Sequence, residues 1–205
     1  MKKVIGLGGC ARAGKDTFAG ILAYKLQQAG KSVRRIALAE PLKVHADEFL
    51  VKYLNITAMT PVSEEKQLIR PMLVWYGDVQ RKRTNGRYWI DIAKKTIEES
   101  KYDYYIITDI RYDAYEKDEL YFLKQEMDGV LCHISKYVVD QNGEKKFVQP
   151  ANDHEATNDP KIKSAADHIV KWPHVDVVME HVEELLLNPT LNEKVDEFAN
   201  KFSLY

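Results

Sequence analysis

A glycine-bounded loop that carries a lysine lies near the beginning of the chain. It has the sequence Gly9-Cys10-Ala11-Arg12-Ala13-Gly14-Lys15-Asp16-Thr17. An apolar segment, residues 4–7, precedes it, and apolar residues at helical spacing follow it from Phe18 to Leu26. A strand, a glycine loop and a helix in this order predict a phosphate-binding loop, because glycines let successive backbone N–H groups point at phosphate oxygens. The alternative is a glycine-rich turn with a chance lysine.

The side chains of this loop have distinct expected roles. The Lys15 ammonium is expected to reach the β- and γ-phosphates of a nucleotide, at the positive end of the helix that begins there. Thr17 is expected to offer its hydroxyl to Mg²⁺ or to the α-phosphate. Asp16 either orients Mg²⁺-bound water or the acceptor phosphate, or only caps the helix. A hydroxyl displaced to the second position after the lysine is frequent among kinases of nucleotides and small metabolites.

A second charged group follows an apolar strand predicted over residues 104–108. Asp109 is predicted at the carboxyl end of that strand, facing the loop, and is therefore the best candidate for a carboxylate on the metal side. The alternative for Asp109 is a turn residue at the end of a strand. Arg111 either clamps a phosphate or pairs only with Asp109.

Composition excludes several other classes of protein. The chain has 205 residues, 45% of them hydrophobic, and a formal net charge of −1, which gives no general attraction to nucleic acid or anionic membranes. The basic run at 81–87 is too short to change that expectation. No apolar run is long enough to span a membrane, and no leader pattern precedes the first strand. With two separated cysteines, Cys10 and Cys132, we expect a reduced, cytoplasmic protein without structural zinc.

The order of apolar patterns predicts alternating strands and helices, and therefore a mainly parallel sheet covered on both faces. A helix from Ser63 is expected to be kinked at Pro71 and to end at Gly77, and a charged helix is expected over 112–127. Further helices are expected over 175–186 and after Asn188. Between residues 136 and 160 we expect a hairpin or a mobile flap.

The residues identified so far resemble those of phage-type deoxynucleoside monophosphate kinases, a branch of the P-loop nucleotide kinases. The likeness covers most of the chain in order and is carried by these stretches: Gly9 to Thr17, Ala39-Glu40-Pro41-Leu42-Lys43, Arg70 through Gly77 to Arg81 and Trp89, Thr108-Asp109-Ile110-Arg111, and a weaker Asp153-His154-Glu155. Two stretches depart from the family pattern: Tyr112 to Glu116, and the Ala156 that follows Glu155. They leave the phosphate machinery intact but bear on which base is selected.

The resemblance implies one P-loop kinase domain over 1–205, a three-layer α/β/α fold with a five-stranded parallel sheet. It also implies a helical acceptor region over about 40–90 and a small lid over about 136–160. The implied reaction is transfer of the γ-phosphate of ATP, with Mg²⁺, to a nucleoside monophosphate in the cytoplasm, or in the host cytoplasm if the chain is phage-encoded. A homodimer is left open. The residues implied to bind ATP are Gly9, Ala11, Arg12, Ala13, Gly14, Lys15, Asp16 and Thr17.

The same resemblance places the acceptor between the second and third strands. The expected acceptor residues are Lys43, Arg70 and Arg81, because cations suit a monophosphate, and Trp89, which either stacks on a base or belongs to the core. Lys136 is expected to be a cation at the transition state, or else part of an exposed polar loop. The implied catalytic set is Lys15, Asp16, Asp109, Arg111 and Lys136, with Thr17 and Asp109 toward the metal.

Two other functions fit the same residues. The chain could be a kinase of a different small phosphorylated acceptor, such as dephospho-coenzyme A or another nucleotide. It could also be an ATP-binding regulator that keeps the loop without useful turnover. Neither the base nor the preference for deoxyribose follows from the sequence.

Overall fold

Parallel strands form the centre of the fold. The computed structural model describes residues 3–174, 185–186 and 188–205. Within them the parallel strands are β1 (Lys3–Gly8), β2 (Val33–Ile36), β3 (Tyr104–Ile110), β4 (Val130–Val139) and β6 (His168–Pro173). They lie in the order β2-β3-β1-β4-β6. A short strand, β5 (Lys145–Phe147), pairs antiparallel with the far end of β4. The predicted α/β fold with a five-stranded parallel sheet is confirmed.

Helices cover both faces of this sheet. In chain order they are α1 (Lys15–Gln28), α2 (Glu40–Leu54), α3 (Ser63–Arg83), α4 (Arg87–Glu99), α5 (Glu119–Tyr121) with a π-helical turn (Phe122–Glu126), α6 (Asp153–Ser164) and α7 (Pro189–Lys201). One face of the sheet packs against α1 and α7, and the other packs against α4, the π-helical turn and α6. The three-layer arrangement is therefore confirmed.

Strand β3 is buried along its whole length because helices cover both faces of the sheet. Every residue of β3 is buried, including Asp109, which lies inside the strand and not after it. Buried parallel strands read as continuous apolar runs for this reason. The strand extends two residues beyond the predicted end at Thr108.

The kink expected at Pro71 of α3 stays a prediction, but the helix does not end at Gly77. It continues through Pro71 and through Gly77, so Arg81 belongs to its last turn. Pro71 and Gln67 are both exposed, so the carbonyl that loses its partner at the proline faces water. Gly77 is buried against α2, and a Cβ there would lie 2.7 Å from Leu42 Cδ1. The glycine permits close packing of two helices; it does not end one.

The charged helix predicted over 112–127 is present only in its second half. Only α5 and the π-helical turn form, because carboxylates capture the backbone N–H groups that a longer helix would use. Tyr112 N–H donates to Glu119, and Ala114 N–H donates to Asp118. Asp118 also caps α5 by accepting from the Glu119 N–H.

The remaining segments agree in part with the sequence patterns. The expected hairpin is present, with Gly143 at φ 80° in its turn. The closing helix after Asn188 is present as α7. The helix expected over 175–186 lies almost entirely outside the described residues. The division into an acceptor region and a lid stays a prediction. In the described part of the chain, no helix has both the length and the apolar character needed to cross a bilayer.

Candidate phosphate-binding and acceptor site

The glycine loop connects β1 to α1 and packs tightly against two neighbouring strands. Gly9 and Gly14 have φ angles of 126° and 91°, which favour glycine. A methyl group at Gly9 would collide with the carbonyl of Ile134, and a Cβ at Gly14 would lie 2.7 Å from the Trp172 ring. Trp172 Nε1 also donates to the carbonyl of Ala13 at 3.0 Å. Strands β4 and β6 therefore fix the shape of the loop.

The Lys15 ammonium is buried against the backbone of this loop. Its side chain donates to the carbonyl oxygens of Gly9 at 2.8 Å and Cys10 at 2.7 Å. Burial and, to a smaller extent, the positive charge of Arg111 together lower the pKa of Lys15 to about 8. An ammonium with this pKa is mainly charged at neutral pH and is strongly stabilised by any anion that enters the loop.

Asp109 connects β3 to the beginning of α2. Its carboxylate accepts hydrogen bonds from the N–H groups of Leu38 at 2.7 Å and Ala39 at 3.0 Å. Burial raises the pKa of Asp109, while Arg111 opposes that shift. Asp109 thus lies inside β3 and holds the turn that follows β2, and its role toward a metal stays a prediction.

Arg111 lies between the loop and the helical region. Its side chain is 41% exposed, and its Nη1 atom is 3.9 Å from Oε1 of Glu155. Its charge acts on both Lys15 and Asp109. These three groups come together at the carboxyl ends of β1 and β3, the edge at which ligands bind in parallel α/β folds.

An open pocket of about 230 Å³ lies beside this group. Apolar and charged side chains both line it, and it contains several of the predicted residues: Lys43, Arg81, Trp89, Asp109 and Arg111. Arg70 does not line it. Arg70 lines a neighbouring pocket of about 330 Å³, and Lys43 contributes to both.

Arg81 makes a buried network in the wall of the pocket. Its guanidinium donates to Asp118 at 2.7 and 2.9 Å and to Glu119 at 3.1 Å. It also stacks at 3.9 Å from the centre of the Tyr112 ring. The structure thus satisfies this cation with two carboxylates, and its predicted contact with a monophosphate stays a prediction.

Trp89 lies at the boundary between pocket and core. It is 5% exposed, contacts Tyr76 and Tyr88 edge to face, and its Nε1 lies 3.4 Å from the carbonyl of Gly77. One part of the ring lines the pocket. The two readings of this residue, core and stacking surface, are compatible in this position.

The other predicted residues lie around the first turn of α1. The residue before α1 is Gly14, and no side chain caps the helix. The Asp16 carboxylate lies in the first turn, 67% exposed, 3.3 Å from Arg35. Thr17 and Lys136 line one small cavity of about 40 Å³. Lys136 belongs to strand β4, so it does not lie in an exposed polar loop.

Sequence patterns missed the contacts of Glu155 with the loop. Its carboxylate accepts from the Ala11 N–H at 2.9 Å and from the Ala151 N–H at 2.8 Å. Asn152 three residues earlier caps α6, so the pair has the spacing of a capping box. That signal indicates a helix start, but it does not indicate that the carboxylate reaches the loop. In the described ranges, no three His, Cys, Asp or Glu side chains are grouped to hold a metal ion.

Comparison with known proteins gives matches among solved structures and none among family models or curated proteins. No protein-family model matches the sequence, and no curated protein matches it. Among solved structures, the chain is similar to shikimate kinase from Acinetobacter baumannii in complex with shikimate, with a TM-score of 0.46 and 11% sequence identity. That similarity covers 98% of this chain and 93% of that chain.

Proposed function

We propose that the chain is an ATP-dependent phosphotransferase that acts on a deoxynucleoside monophosphate and yields the diphosphate and ADP. One observation carries the proposal: Lys15 of the glycine loop, Asp109 and Arg111 come together next to a pocket large enough for a small acceptor. A phosphate-binding loop alone would serve any nucleotide-binding protein. The adjacent pocket is what favours transfer to a second substrate.

The donor side is the loop itself. Its backbone N–H groups and the Lys15 ammonium would hold the β- and γ-phosphates. Mg²⁺ binds through few protein groups and several waters, and Thr17 and Asp109 are the residues that would hold it. Each Asp109 oxygen accepts one backbone N–H and keeps acceptor capacity. When bound, the ion would neutralise charge on the phosphates.

The acceptor side is the pocket between α2, α3 and α4. Lys43 and Arg111 would bind the monophosphate, Arg70 would extend the positive surface beyond it, and Trp89 would offer an apolar surface to the base. Arg81 would act in the wall, where it is paired with carboxylates. Lys136, near the first turn of α1, would supply a further cation from the donor side.

These positions suit direct in-line transfer. Phosphoryl transfer needs alignment of two substrates and stabilisation of negative charge more than covalent chemistry by the protein. Arg111 lies between the loop and the pocket, where charge develops on the transferred group. Without exclusion of water, ATP would be hydrolysed. The segment over 136–160 is the part of the chain that we propose closes over the loop.

The test is ADP release in a coupled assay with a panel of ribo- and deoxynucleoside monophosphates and dephospho-coenzyme A. We expect stimulation by one or more deoxynucleoside monophosphates. Stimulation by dephospho-coenzyme A alone would assign the chain to a different acceptor class. No stimulation by any acceptor, with ATP binding intact, would favour the ATP-binding regulator.

A further inference from the structure

The carboxylate of Glu155 occupies an anion position on the glycine loop. It accepts the Ala11 N–H at 2.9 Å, and the same oxygen lies 3.9 Å from Arg111 Nη1. Its negative charge also acts on Lys15. Glu155 is 8% exposed, and its second oxygen is held by the Ala151 N–H. Three groups that would bind a phosphate thus surround one carboxylate.

Loops of this kind select anions because their N–H groups and their lysine converge on one point. Ala11 lies four residues before the start of α1, so we take its N–H to serve the terminal phosphate rather than the α-phosphate at the start of the helix. A carboxylate on this N–H and a terminal phosphate cannot share the same volume. Two anions at that distance would also repel each other strongly.

We propose that Glu155 competes with the γ-phosphate of ATP. Its carboxylate accepts the Ala11 N–H and pairs with Arg111, and it must leave both groups when ATP binds. The inference rests on the proposed function, because it takes the ligand of the loop to be ATP. The side chain of Glu155 therefore leaves the Ala11 N–H in the ATP complex, while its backbone stays in α6. ADP lacks the group that competes with Glu155, so it binds without displacing the carboxylate.

ATP binds only the chains in which Glu155 has left the loop. The apparent affinity for ATP is therefore reduced in proportion to the fraction of such chains. A hydrogen bond to a charged group contributes enough to make that population small. Glu155→Gln keeps the size of the side chain and removes its charge, so it weakens the competing contact. Glu155→Asp keeps the charge and shortens the side chain by one methylene, so it also releases Ala11.

The experiment measures dissociation constants for ATP and ADP by isothermal titration calorimetry on the full chain. For Glu155→Gln and for Glu155→Asp we expect the Kd for ATP to fall at least about fivefold, with a smaller change for ADP. Asp153→Asn is the matched control, because Asp153 is an exposed acid in the same turn of α6. We expect that control to leave both constants unchanged.

Two results would overturn the inference. One is a Kd for ATP that is unchanged or higher in both Glu155 variants. The other is an equal gain for ATP and ADP, which would reflect only the general loss of negative charge. If Glu155→Gln does not fold, Glu155→Asp decides the question alone. The two proposals can fail separately. A wrong acceptor would be detected in the ADP-release assay, whereas this experiment measures only the binding of ATP and ADP.

Discussion

At the residue scale, the buried ammonium of Lys15 would couple the proposed nucleotide binding to proton uptake. Its pKa of about 8 lies below the ordinary value of 10.5. Between those values the unfolded chain binds more protons at this lysine than the folded chain does. The free energy of unfolding therefore gains from Lys15 as the pH rises from about 8 toward 10.5, and the cost of burying the charge is fully present below pH 8.

The first prediction is that ATP binding takes up protons at pH 8. Phosphates favour the charged ammonium, so binding raises the pKa of Lys15 and draws in roughly half a proton. Calorimetry of MgATP binding in buffers of different ionisation enthalpy measures this uptake. Lys15→Arg is the control, since a guanidinium is already charged at this pH. Equal uptake in both proteins would remove Lys15 as its source.

The second prediction concerns Arg111, which lies between the donor loop and the pocket. Arg111→Ala is expected to lower kcat by a factor on the order of 10³, because a guanidinium that stabilises the transferred phosphoryl group contributes that much. The loss should fall on kcat more than on the KM for ATP. Arg83→Ala, an exposed arginine at the end of α3, should leave the rate unchanged. A rate for Arg111→Ala within a fewfold of wild type would return Arg111 to a structural role.

At the scale of elements, the Arg81 network fastens the end of α3 to the segment before α5. Asp118 and Glu119 are both buried, and Arg81 is the cation that faces them. Burial raises the pKa of Glu119 to about 8, against the charge of Arg81. A raised carboxyl pKa means that this group's contribution to the free energy of unfolding falls as the pH rises from 4.5 to about 8.

The third prediction is a large loss of stability on Arg81→Met. Two buried carboxylates would then lack their cation, which costs about 3–5 kcal/mol. Urea denaturation measures the change, with Arg83→Met as a control that should stay within about 0.5 kcal/mol. The loss should be smaller at pH 5 than at pH 8, since protonation of Glu119 removes one of the two carboxylate charges that Arg81 faces. A loss below about 1 kcal/mol at pH 8 would contradict the structural role.

The elements also show how far the sequence predicts this molecule. The loop and the strand at 104–110 follow from local patterns, because a phosphate loop is one contiguous stretch and a buried strand is one apolar run. The predicted end of α3 at Gly77 was wrong because this glycine is required by close packing against α2, which local sequence does not show. The contact of Glu155 with Ala11 spans 144 residues, and no local pattern encodes it.

At the scale of the whole molecule, α7 packs beside α1 on one face of the sheet. Phe198 is fully buried and contacts Phe18 of α1 edge to face, with ring centres 5.5 Å apart. The chain beyond α7 is also anchored, because the Tyr104 hydroxyl donates to the carbonyl of Leu204. Helix α7 and the residues after it thus stabilise the layer that contains α1, the helix that follows the glycine loop.

The fourth prediction is that Phe198→Ala lowers the free energy of unfolding by about 3–5 kcal/mol, the cost of a cavity left by a buried aromatic side chain. Denaturation in urea measures it. Phe49→Ala removes the same group from α2, where the side chain is 48% exposed, and should cost far less. Similar losses in the two variants would show that α7 does not support the core.

The three tryptophans of the chain occupy three different environments. Trp172 packs against Gly14 and donates a hydrogen bond to the carbonyl of Ala13. Trp89 lines the proposed acceptor pocket, and Trp75 is 64% exposed. Each of the two sites therefore contains its own intrinsic fluorophore. In variants that keep a single tryptophan, emission from Trp172 would report occupancy of the donor loop, and emission from Trp89 would report occupancy of the acceptor pocket. The order in which the two substrates bind could then be read optically, without labels and without turnover.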